Sequence, residues 1–128
     1  MKLKNFSLSY GTQIFKAFSD ESRVRILSLI FHNQKMCISD LELVLNFTQS
    51  KTSRHLIYLK NSKILTSEKI DNWVYYSIME EVNDIVTRIF NFLHKDQVLQ
   101  KDLEIYKVLY SNRELAKYKL ENRKWITS

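Results

Sequence analysis

Proline is absent from this 128-residue chain and glycine occurs once. Sheet-rich folds use both residues in their turns, so this scarcity favours helices. A single cysteine, Cys37, cannot close an intramolecular disulfide, and no apolar run approaches the ~20 residues that a membrane span needs. The opening stretch MKLKNFSLSYG lacks the apolar core and small-residue cleavage site of a secretory signal. These absences predict a soluble cytoplasmic protein in a reducing compartment, with no membrane partner. There is also no phosphate-cradling glycine loop, no Ser/His/Asp arrangement with recognisable spacing and no metal-ligand cluster. An enzyme, and with it a cofactor, is therefore not expected.

What is present is enough for a packed domain. Hydrophobic residues make up 45% of the chain, charged residues 27%, and no segment is of low complexity. The length fits one compact domain with or without an extension. A formal net charge of +6 suits an anionic partner, although a modest basic excess is common among proteins that bind nothing acidic.

Hydrophobic periodicity divides the chain. Tyr10, Ile14, Ala17 and Phe18 fall at helical spacing, and predict a first short helix over residues 9–19. Asp20 is placed to cap a second helix, with Glu21 in the first turn where a negative charge suits the dipole. Val24, Leu27, Ile30 and Phe31, widened by Ile26 and Leu29, make that helix the centre of the core. MCI at 36–38 suggests a short strand. SDLELVLN then restarts a helix, with Ser39 as cap and Glu42 three residues on as its capping-box partner. Asn46 stands where a left-handed C-cap belongs, and Thr48 can cap the helix that follows. After Lys63 the period changes to that of strands: ILTSEKI and WVYYSIM flank Asp71-Asn72, a pair that tolerates a tight turn, and predict a two-stranded hairpin. From Glu80 to about Asn122 helical spacing returns, through Val82, Ile85, Ile89 and Phe92, then Leu99, Leu103, Tyr106 and Tyr110. HKDQ at 94–97 interrupts it, leaving one long helix or two. Such a stripe exceeds what a small domain can cover, which suggests a partner helix.

Two helices joined by a short turn and followed by a hairpin have the order of a winged helix-turn-helix. In TQSKTSRHLIYLK, residues 48–60, the first eight residues are polar and the apolar ones come afterwards. A helix that enters a major groove by its N-terminal end needs this division: donors and acceptors first, core anchors later. Thr48, Gln49, Ser50 and Ser53 offer hydrogen-bonding groups, while Lys51, Arg54 and Lys60 can neutralise phosphates. Leu56, Leu59 and Thr52 face inward. On the hairpin, Lys69, Asn72 and Trp73 could reach the adjacent minor groove or backbone. Taken alone the polar helix end could be a solvated N-terminal turn; the neighbouring turn, the hairpin and the basic balance favour DNA.

The residues FKAFSDESRVRIL (15–27), MCISDLELVLNFTQSKTSRHLIYLKNSKIL (36–65) and WVYYSI (73–78) resemble the ArsR family of winged-helix repressors, in the family's order. The pattern SxxSRHLxxLKxxxIL from Ser50 to Leu65, followed by an aromatic strand, is its most specific part. The resemblance implies a homodimer on an inverted-repeat operator of double-stranded DNA, released by a ligand or a redox change. It also implies a mainly helical fold with a small β-hairpin: a DNA-binding and dimerisation domain over residues 1–95 and a C-terminal helical extension over 96–128. Members usually carry Pro where Glu21 stands and Gly near the turn at Asp71-Asn72. Glu is well placed in a first helical turn, and Asn or Asp can adopt the left-handed conformation.

The family's three-thiolate metal site falls here on Cys37, Ser39 and Glu42, and one thiolate with a hydroxyl and a carboxylate does not remake it. A second family site draws Asp and His from the long dimer helix; Asp84, Asp96 and His94 are there, but their spacing does not match. Metal sensing is therefore not expected. Cys37 is expected to be a buried small hydrophobe, with a redox role as the alternative because a helix entrance could lower its thiol pKa. His32 and His55 have no acid partner visible in sequence. Tyr106, Tyr110, Tyr118 and Trp125 read as core aromatics rather than a ligand cavity. The function predicted is a dimeric sequence-specific repressor; the alternative is a winged-helix protein-interaction module that does not bind DNA.

Overall fold

The structure is a computed structural model that describes residues 5–122, so Trp125 lies outside the described residues. Chain order is α1 (Leu8–Ala17), α2 (Glu21–Asn33), β1 (Met36–Cys37), α3 (Ile38–Leu45), α4 (Gln49–Asn61), β2 (Leu65–Ile70) and β3 (Trp73–Ile78). A 3₁₀ turn at Glu80–Val82 leads into α5 (Asn83–Leu93), followed by α6 (Gln97–Ser111) and α7 (Ala116–Glu121).

Helix starts are set by side chains that accept the first free backbone N–H groups. Asp20 accepts from the Arg23 amide at 3.0 Å, Thr48 from Lys51 at 3.2 Å and Asp96 from Leu99 at 3.0 Å. The Asp96 cap settles the break in HKDQ: α5 ends at Leu93, before it, and α6 begins at its last residue, Gln97. At α3 the predicted Ser39 cap fails. The helix begins two residues earlier than that cap implies, at Ile38, behind Cys37, which makes no side-chain cap bond. Strand β1 runs straight into this helix, so Ser39 is already in its first turn and its hydroxyl sits 3.3 Å from the Cys37 sulfur.

The hairpin pairs Leu65 with Ile78 through to Ile70 with Trp73, and its turn is carried by Asp71 at φ 57°. It is not a lone hairpin. β1 joins its other edge in the order β1-β3-β2, pairing Met36 with Tyr76 and Cys37 with Tyr75. The short strand expected at MCI is thus present as Met36–Cys37, but two residues are too few to show by alternation which strand they join.

The core centres on α2, where Ile26, Leu27, Leu29 and Ile30 are fully buried against Leu41 of α3 and Leu56 and Leu59 of α4. Truncating Leu56 or Leu59 to Ala would cost about 3 kcal/mol, because helix packing leaves little room to collapse into the hole. Of the expected stripe, Val82 is buried and Ile85 packs against the core, but within α5 the buried residues are Val86 and Phe90 rather than Ile89 and Phe92; Phe92 is 90% exposed. The apolar excess seen in the sequence is therefore a second, outward face of the same helix.

The C-terminal arm joins the same core through Leu99, Tyr106 and Leu115. Three long-range polar contacts hold it. Arg25 of α2 makes a bidentate pair with Asp102 of α6, both bonds 2.9 Å, with Asp102 almost fully buried. Asp40 of α3 accepts from the backbone amides of Ala116 and Lys117 at 2.9 and 3.0 Å, which caps α7 from another element. The Lys117 ammonium in turn donates to the Asn33 carbonyl at the end of α2. Neither these contacts nor α7 was apparent in the sequence.

Candidate nucleic-acid interface

Helix α3 ends on Asn46 in the left-handed conformation, φ 57° and ψ 42°, which reverses the chain within Phe47 and Thr48 before α4 begins. Asn accepts this conformation at low cost because its short side chain bonds locally. The side chains of α4 then divide by face. Thr52, Leu56 and Leu59 are buried, and Thr52 returns its hydroxyl to the Thr48 carbonyl at 2.8 Å. Thr48, Gln49, Ser50 and Arg54 are exposed, with Lys51 and Ser53 half-buried beside them. The six predicted residues from Thr48 to Arg54 thus share the first turns of one helix, as the sequence requires.

Their electrostatics differ. The Lys51 ammonium lies 4.0 Å from the Phe47 ring centre, a cation–π contact that holds its stem down while its charge stays accessible. Arg54 makes no hydrogen bond, ion pair or ring contact among the described residues, and is an unspent cation at the helix tip. His55, half-buried behind it, is held below the usual imidazole range chiefly by burial and further by Arg23, Arg54 and Lys51, with Asp20 opposing. Asp20 is the acidic neighbour that sequence spacing could not reveal.

The brace under α4 was also missed. Arg23 donates to the Ala17 and Lys16 carbonyls at 3.1 and 2.9 Å, and its guanidinium covers the Tyr58 ring at 4.2 Å. One side chain thereby ties the end of α1 and the start of α2 to α4. Lys60 bonds the Ser67 hydroxyl on β2 at 2.7 Å, which fixes the wing against the helix. Lys69, Asn72 and Trp73 are exposed at the wing tip, apart from the α4 group.

Cys37 does not belong to this surface. It is 1% exposed, beneath Tyr75, Ala116 and the flank of Leu120. Burial, followed by the nearby Asp40 carboxylate, pushes its thiol up, whereas its hydrogen bond to Ser39 works the other way. The expected lowering at a helix entrance is overturned because desolvation outweighs it. Ser39 and Glu42 stand near it in sequence, but among the described residues no three His, Cys, Asp or Glu side chains gather to hold a metal ion. No helix among them is long and apolar enough to cross a membrane.

Comparison with known proteins bears on this arrangement. The sequence model of a family described as "Bacterial regulatory protein, arsR family" matches residues 20–67, from the α2 cap to the middle of β2. The arsenic resistance transcriptional regulator ArsR2 of Pseudomonas putida is 38% identical over 69 residues, 54% of this chain and 60% of that relative's length. The arsenical resistance operon repressor of Bacillus subtilis is 37% identical over 76 residues, 59% of this chain and 72% of the relative. In structure, the homodimeric winged helix-turn-helix DNA-binding domain of a Mycobacterium bovis protein superposes with a TM-score of 0.62 at 18% identity, over 69% of this chain and 82% of that one. That likeness shows the fold, a winged helix-turn-helix. Together with the sequence matches it establishes that the chain belongs to the ArsR family of bacterial regulatory proteins.

Proposed function

We propose that the protein is a homodimeric, sequence-specific DNA-binding repressor of transcription, acting in the cytoplasm. It docks one α4 into each of two successive major grooves of an inverted repeat. The observation that carries this reading is the division of α4: an inward face anchored by Thr52, Leu56 and Leu59, and outward first turns on which Gln49 and Ser50 are exposed and Arg54 makes no ion pair among the described residues. A merely solvated turn gives no reason for a braced helix whose Arg54 is paired with no acid among the described residues. Gln49, Ser50 and Ser53 face base edges, Lys51 and Arg54 face phosphates, and Lys69 and Asn72 of the wing reach the neighbouring backbone.

The second copy is supported by an exposed apolar stripe on α1, where Leu8 is 88% and Phe15 69% exposed. Gly11 lies between them with open space where a Cβ would stand. Phe18, at the end of α1, meets Phe90 of α5 ring to ring at 5.8 Å, and Phe92 on the outward face of α5 is a further exposed apolar side chain. A dimer across this face would set two α4 tips about one helical turn of DNA apart, and a change in protomer angle would spoil simultaneous docking. The releasing signal in this reading is not a soft metal at Cys37, Ser39 and Glu42, since the one thiol there is covered and protonated. The same burial argues against a redox role for Cys37. Arsenic is what the relatives' names state of those proteins.

Selection from random DNA tests the function. An inverted repeat should emerge, bound with steep salt dependence and weakened by Arg54→Ala and by Gln49→Ala. Indifference to DNA with association to a protein partner would instead favour the interaction-module reading.

A further inference from the structure

Ile57 is 56% exposed, although it sits in α4 between the fully buried Leu56 and Leu59. It belongs to neither apolar cluster of the chain. Its neighbours fix its direction: Leu56 points into the core, and Tyr58 is held under the Arg23 guanidinium. On an α-helix, residues at i, i+3, i+4 and i+7 share a face, and Ser50, Ser53, Arg54 and Ile57 are such a set. From Ser50 to Ile57 the helix rises by about 10 Å. That length fits inside a major groove about 12 Å wide, so a helix that seats Ser50 and Ser53 there carries Ile57 in with them.

We infer that Ile57 reads a thymine 5-methyl group in each half-site, as the apolar member of the groove-facing set Ser50, Ser53 and Ile57, with Arg54 on the flank toward the phosphates. The inference rests on the DNA-binding reading above and adds a base identity to it. The thymine methyl is the apolar feature that base pairs display in the major groove. A β-branched side chain in a helix keeps essentially one χ1 rotamer, so Ile57 presents a stiff methyl surface at small entropic cost. Opposite a cytosine, the same surface would cover an amino donor without accepting its hydrogen bond, which disfavours that base.

The test uses the duplex that wild-type protein selects from a random library, with each thymine in turn replaced by uracil, which removes the methyl alone. At one thymine position per half-site, uracil should weaken wild-type binding about fourfold, the worth of one buried methyl, and about fifteenfold when both half-sites carry it. Ile57→Ala, at a side chain that belongs to neither apolar cluster, should bind thymine and uracil duplexes equally; Ile57→Val should keep part of the preference. Wild-type indifference to uracil at every thymine of the selected duplex overturns the inference and leaves DNA binding standing. A uracil penalty that survives in Ile57→Ala overturns it too. If wild-type protein selects no sequence, the DNA-binding reading fails and this inference fails with it.

Discussion

Helices α4 and α6 are both amphipathic, and the chain treats their charges in opposite ways. On α6, Asp102 is buried and paired with Arg25 through two hydrogen bonds, which locks the arm to α2. On α4, Arg54 is exposed and makes no such contact among the described residues, while Lys51 rests on a ring rather than an acid. Charge used for holding is desolvated and matched; charge used for presenting is left open and supported from behind. The difference separates the parts of the molecule that maintain the fold from the part proposed to meet DNA.

Removing a holding carboxylate should therefore be costly. Asp40→Ala deletes the cap of α7 and strips Lys117 of a neighbouring anion, and should lower unfolding free energy by about 3 kcal/mol. Urea denaturation would measure it, and thiol labelling of Cys37 should accelerate as α7 loosens. Asp102→Ala should cost about 2 kcal/mol, less than a fully buried pair because Arg25 keeps part of its hydration. Thr48→Ala, loss of an N-cap, should cost about 1 kcal/mol. Arg54→Ala, on the presenting side, should change stability by less than about 0.5 kcal/mol while weakening DNA binding. A large destabilisation there would break the comparison.

The smallest effect concerns His55. Its folded pKa lies below the ordinary 6.5, so as pH falls the unfolded chain takes up the proton first. Its contribution is present above that range and is lost as pH drops from about 7 through the window below 6.5. Comparing urea midpoints at neutral and mildly acidic pH for wild type and His55→Gln should show a shallower decline in the variant.

What the sequence revealed follows the same division between local and distant contacts. The Asp20 and Thr48 caps, the left-handed Asn46, the inward Thr52 and the β2–β3 alternation depend on neighbours within a few residues, and each was legible. The polar first turns of α4 were legible for that reason too. Asp40 and Asp102 act on partners more than seventy residues away, and nothing in their surroundings in sequence marks them. The Ser39 cap was misread because a two-residue strand shifts the helix start, and the α5 stripe because both faces of that helix are apolar. Lys60 reads as a phosphate contact in sequence, but its bond to Ser67 is a packing outcome.

The most direct measurement of the central claim is fluorescence anisotropy of the selected inverted-repeat duplex across a range of salt concentrations, with wild-type protein and Arg54→Ala. The account predicts tight, steeply salt-dependent binding by wild type, a far weaker response to a scrambled duplex, and a slope shallower by roughly two in the variant, one phosphate contact from each protomer. Equal binding of repeat and scrambled DNA, or an unchanged slope after loss of Arg54, would contradict it.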